Sequence, residues 1–194
     1  MTTAGAPPKF KEAHINWVFW KIACNQPMGR KMLVEETGLG EGSLRTILDR
    51  LEEYGLVKSA KPGRTLSEDG GRVFQKLKKI LKIEKANYFD MTGKPNNCLV
   101  LVRGAGGKVT SGMDQRDAAI QVGRGGATTV VIKNGRLFMP GFESGVDMDK
   151  QYPQDSAKIK KILNPEEGDA IVIGSENNPQ AAEEAAWIAA STLL

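Results

Sequence analysis

Histidine and cysteine are scarce in this 194-residue chain: His14 is the only histidine, and Cys24 and Cys98 stand far apart without CxxC spacing. A disulfide framework and a zinc site both need more than that. A Ser-His-Asp arrangement would have to use His14, which falls in the opposite half of the chain from most candidate carboxylates, and no serine, cysteine or lysine has an evident base beside it. Asp114, Asp117, Asp147 and Asp149 are scattered. No catalytic residue and no metal site is expected, and the chain reads as a non-enzyme. Neither GxxxxGK[ST] nor GxGxxG occurs, so no cofactor is expected either. No apolar run approaches the length of a membrane span and nothing resembles a signal peptide, which gives a cytoplasmic expectation.

What is present is a break between two short amphipathic patterns. In Gly29–Tyr54, GRKMLVEETGLGEGSLRTILDRLEEY, the first pattern turns Met32 and Leu33 inward and ends at Gly38, where the chain can take the positive φ of a sharp turn before Leu39 re-enters the core. The second carries Leu44, Ile47, Leu48 and Leu51 at i, i+3, i+4 and i+7, a single apolar stripe. That is the layout of a helix-turn-helix. It leaves Ser43, Arg45, Thr46 and Arg50 outward or toward the helix start, where arginine can fork onto guanine and hydroxyls can meet phosphate or base edges. Next, Pro62-Gly63 marks a turn between two short extended segments, a hairpin or wing carrying Lys58, Lys61 and Arg64 as phosphate contacts. A lysine-rich helix follows, with Val73, Phe74, Leu77, Ile80 and Leu81 on its apolar side.

The run LVEETGLGEGSLRTILDRLEEYGLVKS with TLSEDGGRVF resembles winged-helix transcription regulators of the MarR and TrmB kind. More closely, it is similar to a group of archaeal two-domain winged-helix proteins of uncharacterised function. The resemblance covers about residues 1–85 and is most specific over Leu39 to Leu48. It implies a recognition helix near Glu41 to Tyr54 and a wing near Lys58 to Thr65, and it supplies neither an operator nor an effector.

Charge is uneven. Residues 1–85 hold 16 Lys and Arg against 10 Asp and Glu, a net of +6, and residues 86–194 hold 11 against 13, a net of −2. A basic first half beside a mildly acidic second suits a DNA-binding module joined to one with another task. The expected fold is α+β: a winged helix-turn-helix domain over 1–85, a turn-rich linker over 86–97, and a small α/β sandwich over 98–194. In the last of these, strands are expected at Cys98–Arg103, Thr128–Lys133, Arg136–Met139 and Asp169–Gly174. Helices are expected at Asp114–Val122, Asp155–Leu163 and Pro179–Leu194, the last capped by Asn178 with Glu183 and Glu184 near its positive end.

Arg103, Gly104, Gly106, Gly107 and Lys108, at the end of a strand, are the candidate ligand loop, with Arg116 nearby, since glycines expose backbone N–H groups to an anion. A bare loop without any ligand is the commoner occurrence of such a run. The first helix, about Lys9 to Asn25, has two apolar faces, one with Ile15, Val18, Phe19 and Ile22 and another with Phe10, Trp17, Trp20 and Cys24. With the Ala- and Trp-rich last helix it gives the expectation of a homodimer. The whole reads as a transcription regulator that binds double-stranded DNA, with a carboxy-terminal domain for dimerisation or for sensing a small anionic effector. The alternative is an enzyme or nucleotide-binding protein using the winged helix for protein or RNA contact.

Overall fold

The computed structural model describes residues 10–141 and 145–194. Two compact units divide the chain, Met1–Phe74 and Gln75–Leu194. The first has α1 (Glu12–Asn25), α2 (Arg30–Thr37), α3 (Glu41–Glu53), a hairpin of β1 (Val57–Ser59) and β2 (Arg64–Leu66), and the start of α4 (Glu68–Ile80), which runs over the division. The second continues with β3 (Leu81–Ala86), β4 (Asn96–Val102), α5 (Met113–Ile120), β5 (Ala127–Lys133), β6 (Arg136–Met139), β7 (Val146–Asp147), α6 (Met148–Gln151), α7 (Pro153–Leu163), β8 (Ala170–Glu176) and α8 (Pro179–Ser191).

In the first unit the stripe Leu44, Ile47, Leu48 and Leu51 is buried together with Leu33, Trp17 and Val18. Gly38 ends α2 at φ +70°, its N–H bonded to the Val34 carbonyl at 2.8 Å, and the Thr37 hydroxyl bonds back to Leu33. The chain thereby turns in three residues, Gly38 to Gly40, and α3 begins at Glu41. Met32 does not point inward as its pattern suggests; it is 48% exposed, because one turn of so short a helix offers a single inward position, which Leu33 takes. Leu39 is only half-buried. Met28 pairs with Arg64 across two backbone hydrogen bonds, and a Cβ on Gly63 would meet the Met28 carbonyl carbon at 2.4 Å, so glycine is what lets these strands approach.

The second unit is a three-layer sandwich. Its six strands are all antiparallel in the order β3-β4-β8-β5-β6-β7. Leu99 and Leu101 of β4, Ile171 and Ile173 of β8, and Val130 and Ile132 of β5 point to one face, where Ile159 and Leu163 of α7 and Met148 of α6 cover them. Against the other face lie α8 and α5. There Gly174 lets α8 come so close that a Cβ would fall 2.2 Å from the Ala182 carbonyl oxygen. Every residue from Ala181 to Ala190 is buried within the chain.

One expectation changes here. The lysine-rich helix stops at Ile80, and Leu81–Ala86 is an edge strand paired with β4, so residues 86–97 connect two neighbouring strands within the second unit and do not link domains. Isolated, LKIEKA alternates too weakly to outweigh the helical pattern before it; its partner strand decides. Glu183 and Glu184 lie in the first half of α8 and are both buried, Glu183 paired with Lys85 at 3.1 Å and Glu184 with Arg124. Trp17 and residues 181–190 of α8 are covered inside the chain, whereas Trp20 on the second apolar face of α1 is half-buried and Cys24 is exposed.

Candidate nucleic-acid interface

The start of α3 presents a polar surface because its apolar stripe fixes the helix's rotation. With Leu44, Ile47 and Leu48 inward, Glu41, Gly42, Arg45, Thr46 and Asp49 are exposed and Ser43 is half-buried. The Thr46 hydroxyl donates to the Gly42 carbonyl at 3.2 Å, leaving its oxygen outward as an acceptor. Arg45 enters no ion pair among the described residues. Arg50 differs: its guanidinium stacks 5.5 Å from the centre of the Phe10 ring and reaches Glu12 at 3.9 Å, so it faces α1 and lies off the outward surface.

On the hairpin, Lys58 and Lys61 are exposed, and Lys61 sits at the tip. Arg64 is tied to Glu52 at 3.1 Å, and Ser59 donates to the same carboxylate, so Arg64 braces the hairpin against the end of α3. Of the seven residues expected to meet DNA, five, Ser43, Arg45, Thr46, Lys58 and Lys61, are available on the outward surface, and two have structural partners.

Two cations were missed. Arg30 and Lys31, the first residues of α2, are exposed and line one shallow cleft with Glu41 at the start of α3 and Pro62 of the hairpin. The signal lay in the sequence GRK before MLVEE, because the first turn of the first helix in such a pair lies beside the second helix's start. The surface is mixed in sign: Glu41 and Asp49 flank Arg45.

The glycine loop of the second unit is filled by the protein itself. Asp169, buried, takes the Arg103 guanidinium at 2.7 Å and the Gly104 and Glu166 amides at 2.9 Å each. Gly106 donates to the Gly168 carbonyl at 2.7 Å, and Lys108 donates to the Leu193 carbonyl at 2.7 Å. Gly107 is exposed. An internal carboxylate thus occupies the position expected for an anionic ligand. The rule that ligands gather at strand ends applies to parallel sheets at a crossover, and this sheet is antiparallel throughout. Arg116 stands apart from the loop, on α5, against Gly126 and on the wall of a cavity of about 300 Å³. Among the described residues no group of three His, Cys, Asp or Glu could hold a metal ion, and no helix is long and apolar enough to cross a membrane.

The chain is similar to a solved archaeal structure, the hypothetical protein PH0730 from Pyrococcus horikoshii OT3, with a TM-score of 0.72, 25% identity, and coverage of 94% of this chain and 92% of that one. Residues 21–72 match the family model described as PH0730-like, N-terminal domain. No curated protein matches. Residues 93–193 match the family model described as a domain of unknown function, DUF4443, and since that match spans more than half of the sequence, the chain belongs to this family.

Proposed function

We propose that the protein is a DNA-binding transcription regulator in which α2, α3 and the β1–β2 hairpin act as a winged helix-turn-helix. The observation that carries this reading is the exposure of Arg45 and Thr46, with Ser43 half-exposed beside them, on the first turns of a helix whose opposite side is wholly buried. A helix of this kind lays its early turns in the major groove, where a guanidinium forks onto guanine and hydroxyls meet phosphate or base edges. Lys58, Lys61, Arg30 and Lys31 border that face and neutralise phosphate, giving affinity and salt dependence without sequence reading. Arg64 and Arg50 act through position: one braces the hairpin, the other holds α3 to the segment before α1.

The dimer belongs to the same proposal, with half-sites about 34 Å apart on a near-palindromic operator. Its apolar contact would come from residues still outward, among them Val73 and Ile80 of α4. The second unit would then sense an effector or serve assembly.

A second reading is favoured by Glu41 and Asp49, which put negative charge beside Arg45 and suit a basic protein partner better than phosphate. Selection from a random duplex pool with the purified full chain separates the two. Enrichment of one sequence supports the regulator; recovery of an unenriched pool at low salt, and of nothing at 200 mM salt, supports the protein-contact reading.

A further inference from the structure

Residues at the far end of the sheet from the Gly104 loop form a built cavity of about 300 Å³. Its floor is organised by Asn97, which is buried and fully used: its amide donates to the Asn87 and Lys94 carbonyls, and its oxygen accepts from the Thr92 and Ser175 hydroxyls at 3.0 and 2.6 Å. Each hydroxyl has one hydrogen, and both are directed into the protein, that of Ser175 to Asn97 and that of Thr92 to Asn97 or the Phe89 carbonyl at 3.2 Å. Thr92 and Ser175, both on the cavity wall, therefore offer lone pairs to whatever enters.

Charge of both signs lines the same space. Lys94 and Arg116 are on the wall, and neither forms an ion pair among the described residues. Arg116 lies across the glycine turn: a Cβ on Gly126 would meet its Cγ at 3.2 Å, and Gly126 takes φ +116°, a conformation that side chains rarely adopt. Glu176 supplies the negative charge, one carboxylate oxygen accepting from the Gly125 amide at 2.7 Å. That bond has a consequence for ligand class. The amide of the glycine turn that would cradle a phosphate is already committed to Glu176, and a carboxylate beside a phosphate would repel it.

We infer that this cavity binds a free amino acid with a small uncharged side chain, its carboxylate on Arg116 and Lys94 and its ammonium on Glu176 and the Ser175 and Thr92 oxygens. Guanidinium meets carboxylate bidentately, and an ammonium has three donors for a carboxylate and two hydroxyl oxygens. The side chain would lie against Met91 and Ala127, the partly exposed apolar part of the wall. This deepens the sensor half of the proposed function and rests on that reading only for an effect on DNA; binding itself stands alone.

Calorimetric titration of the full chain, without DNA, with each of the twenty standard amino acids is the test, followed for any binder by its analogue lacking the amine and its analogue lacking the carboxylate. One or a few amino acids bind, and both analogues lose about tenfold or more in affinity, the loss expected when a charge-assisted hydrogen-bonded pair goes unmade. Arg116→Gln and Lys94→Met each weaken the amino acid, and Glu176→Gln, which keeps the acceptor for Gly125, weakens it without affecting the analogue that has no amine. Arg116 is exposed, so its variant is expected to fold; Ser175→Ala provides a second test if it does not. Binding of no amino acid overturns the inference, as does equal binding of the amine-free analogue or of inorganic phosphate, or affinity unchanged in all the variants. None of these results bears on DNA binding, which is measured separately on the same preparation.

Discussion

The Arg103 guanidinium lies 2.7 Å from the buried carboxylate of Asp169, which also receives the amides of Gly104 and Glu166. A glycine-rich strand end that resembles an anion site is thus closed by an anion from the same chain. The pair fastens the loop after β4 to the turn before β8.

Removing that anion is expected to cost stability. Asp169→Ala leaves three donors without their acceptor, and truncation of one partner of a buried pair costs about 3 to 5 kcal/mol, toward the low end here because Arg103 is partly solvated. Arg103→Ala costs less, since Asp169 keeps its two amides. Urea unfolding of the full chain, followed by the loss of sheet signal, gives both values. Equal and negligible shifts would show that the loop is held by something else.

Gly174→Ala tests the packing of α8 on the sheet. The added Cβ meets backbone, the Ala182 oxygen at 2.2 Å and the Ala186 nitrogen at 2.4 Å, which cannot rotate away. The expected loss is about 1 to 3 kcal/mol or more, as for other overpacked cores. Gly107→Ala, with nothing within 4 Å of its Cβ, is the control and should lie within about 0.5 kcal/mol of the parent. A thermal midpoint for Gly174→Ala equal to that of the control would contradict the close approach.

Asp149 gives a pH signature. Burial raises its pKa, but the hydrogen bonds from Lys160, at 2.6 Å, and from Ser156 outweigh this and hold it below the ordinary carboxylate range. A depressed folded pKa means stability that is present above the unfolded value of about 3.9 and lost as pH falls through the folded one. Asp149→Asn should therefore flatten the acid limb of stability below about pH 4 and lower stability at pH 7. An unchanged acid limb in the variant would remove Asp149 from that limb.

The hairpin cations are expected to separate by role. Lys61→Ala should weaken binding to all duplexes alike and reduce the salt slope by about one unit, with folding unaffected. Arg64→Ala should weaken binding and also lower stability, by up to about 1 kcal/mol, since Arg64 is hydrogen-bonded to Glu52. Anisotropy titrations at several salt concentrations, paired with melting curves, distinguish them; equal melting points would show that the brace contributes nothing.

Sequence and structure agree where a local signal is strong. The stripe from Leu44 to Leu51, the turn at Gly38, and the Asn178 cap, whose side chain accepts from the Ala181 amide at 3.0 Å, were all legible because each depends on neighbours in the chain. What was not legible depends on partners far away. Leu81–Ala86 is a strand only because β4 lies beside it, and Glu183 is a buried ion-pair partner only because β3 brings Lys85 there. Arg103 and Arg116 looked equivalent as cations near glycines; Asp169, more than sixty residues later, engages one and leaves the other on a cavity wall. Arg50 and Arg64 likewise followed the expected spacing, and a ring at Phe10 and a carboxylate at Glu52 decided their roles.

The proposal that α3 reads DNA is tested most directly by measuring the affinity of the parent and of Arg45→Ala for the duplex the protein selects and for a random duplex, at the same salt concentrations. The expected result is a loss of about 1 to 3 kcal/mol on the selected duplex, no change on the random one, and an unchanged salt slope, as for a side chain that contacts a base edge. Failure to enrich any sequence, or an equal effect of Arg45→Ala on both duplexes, would contradict the account.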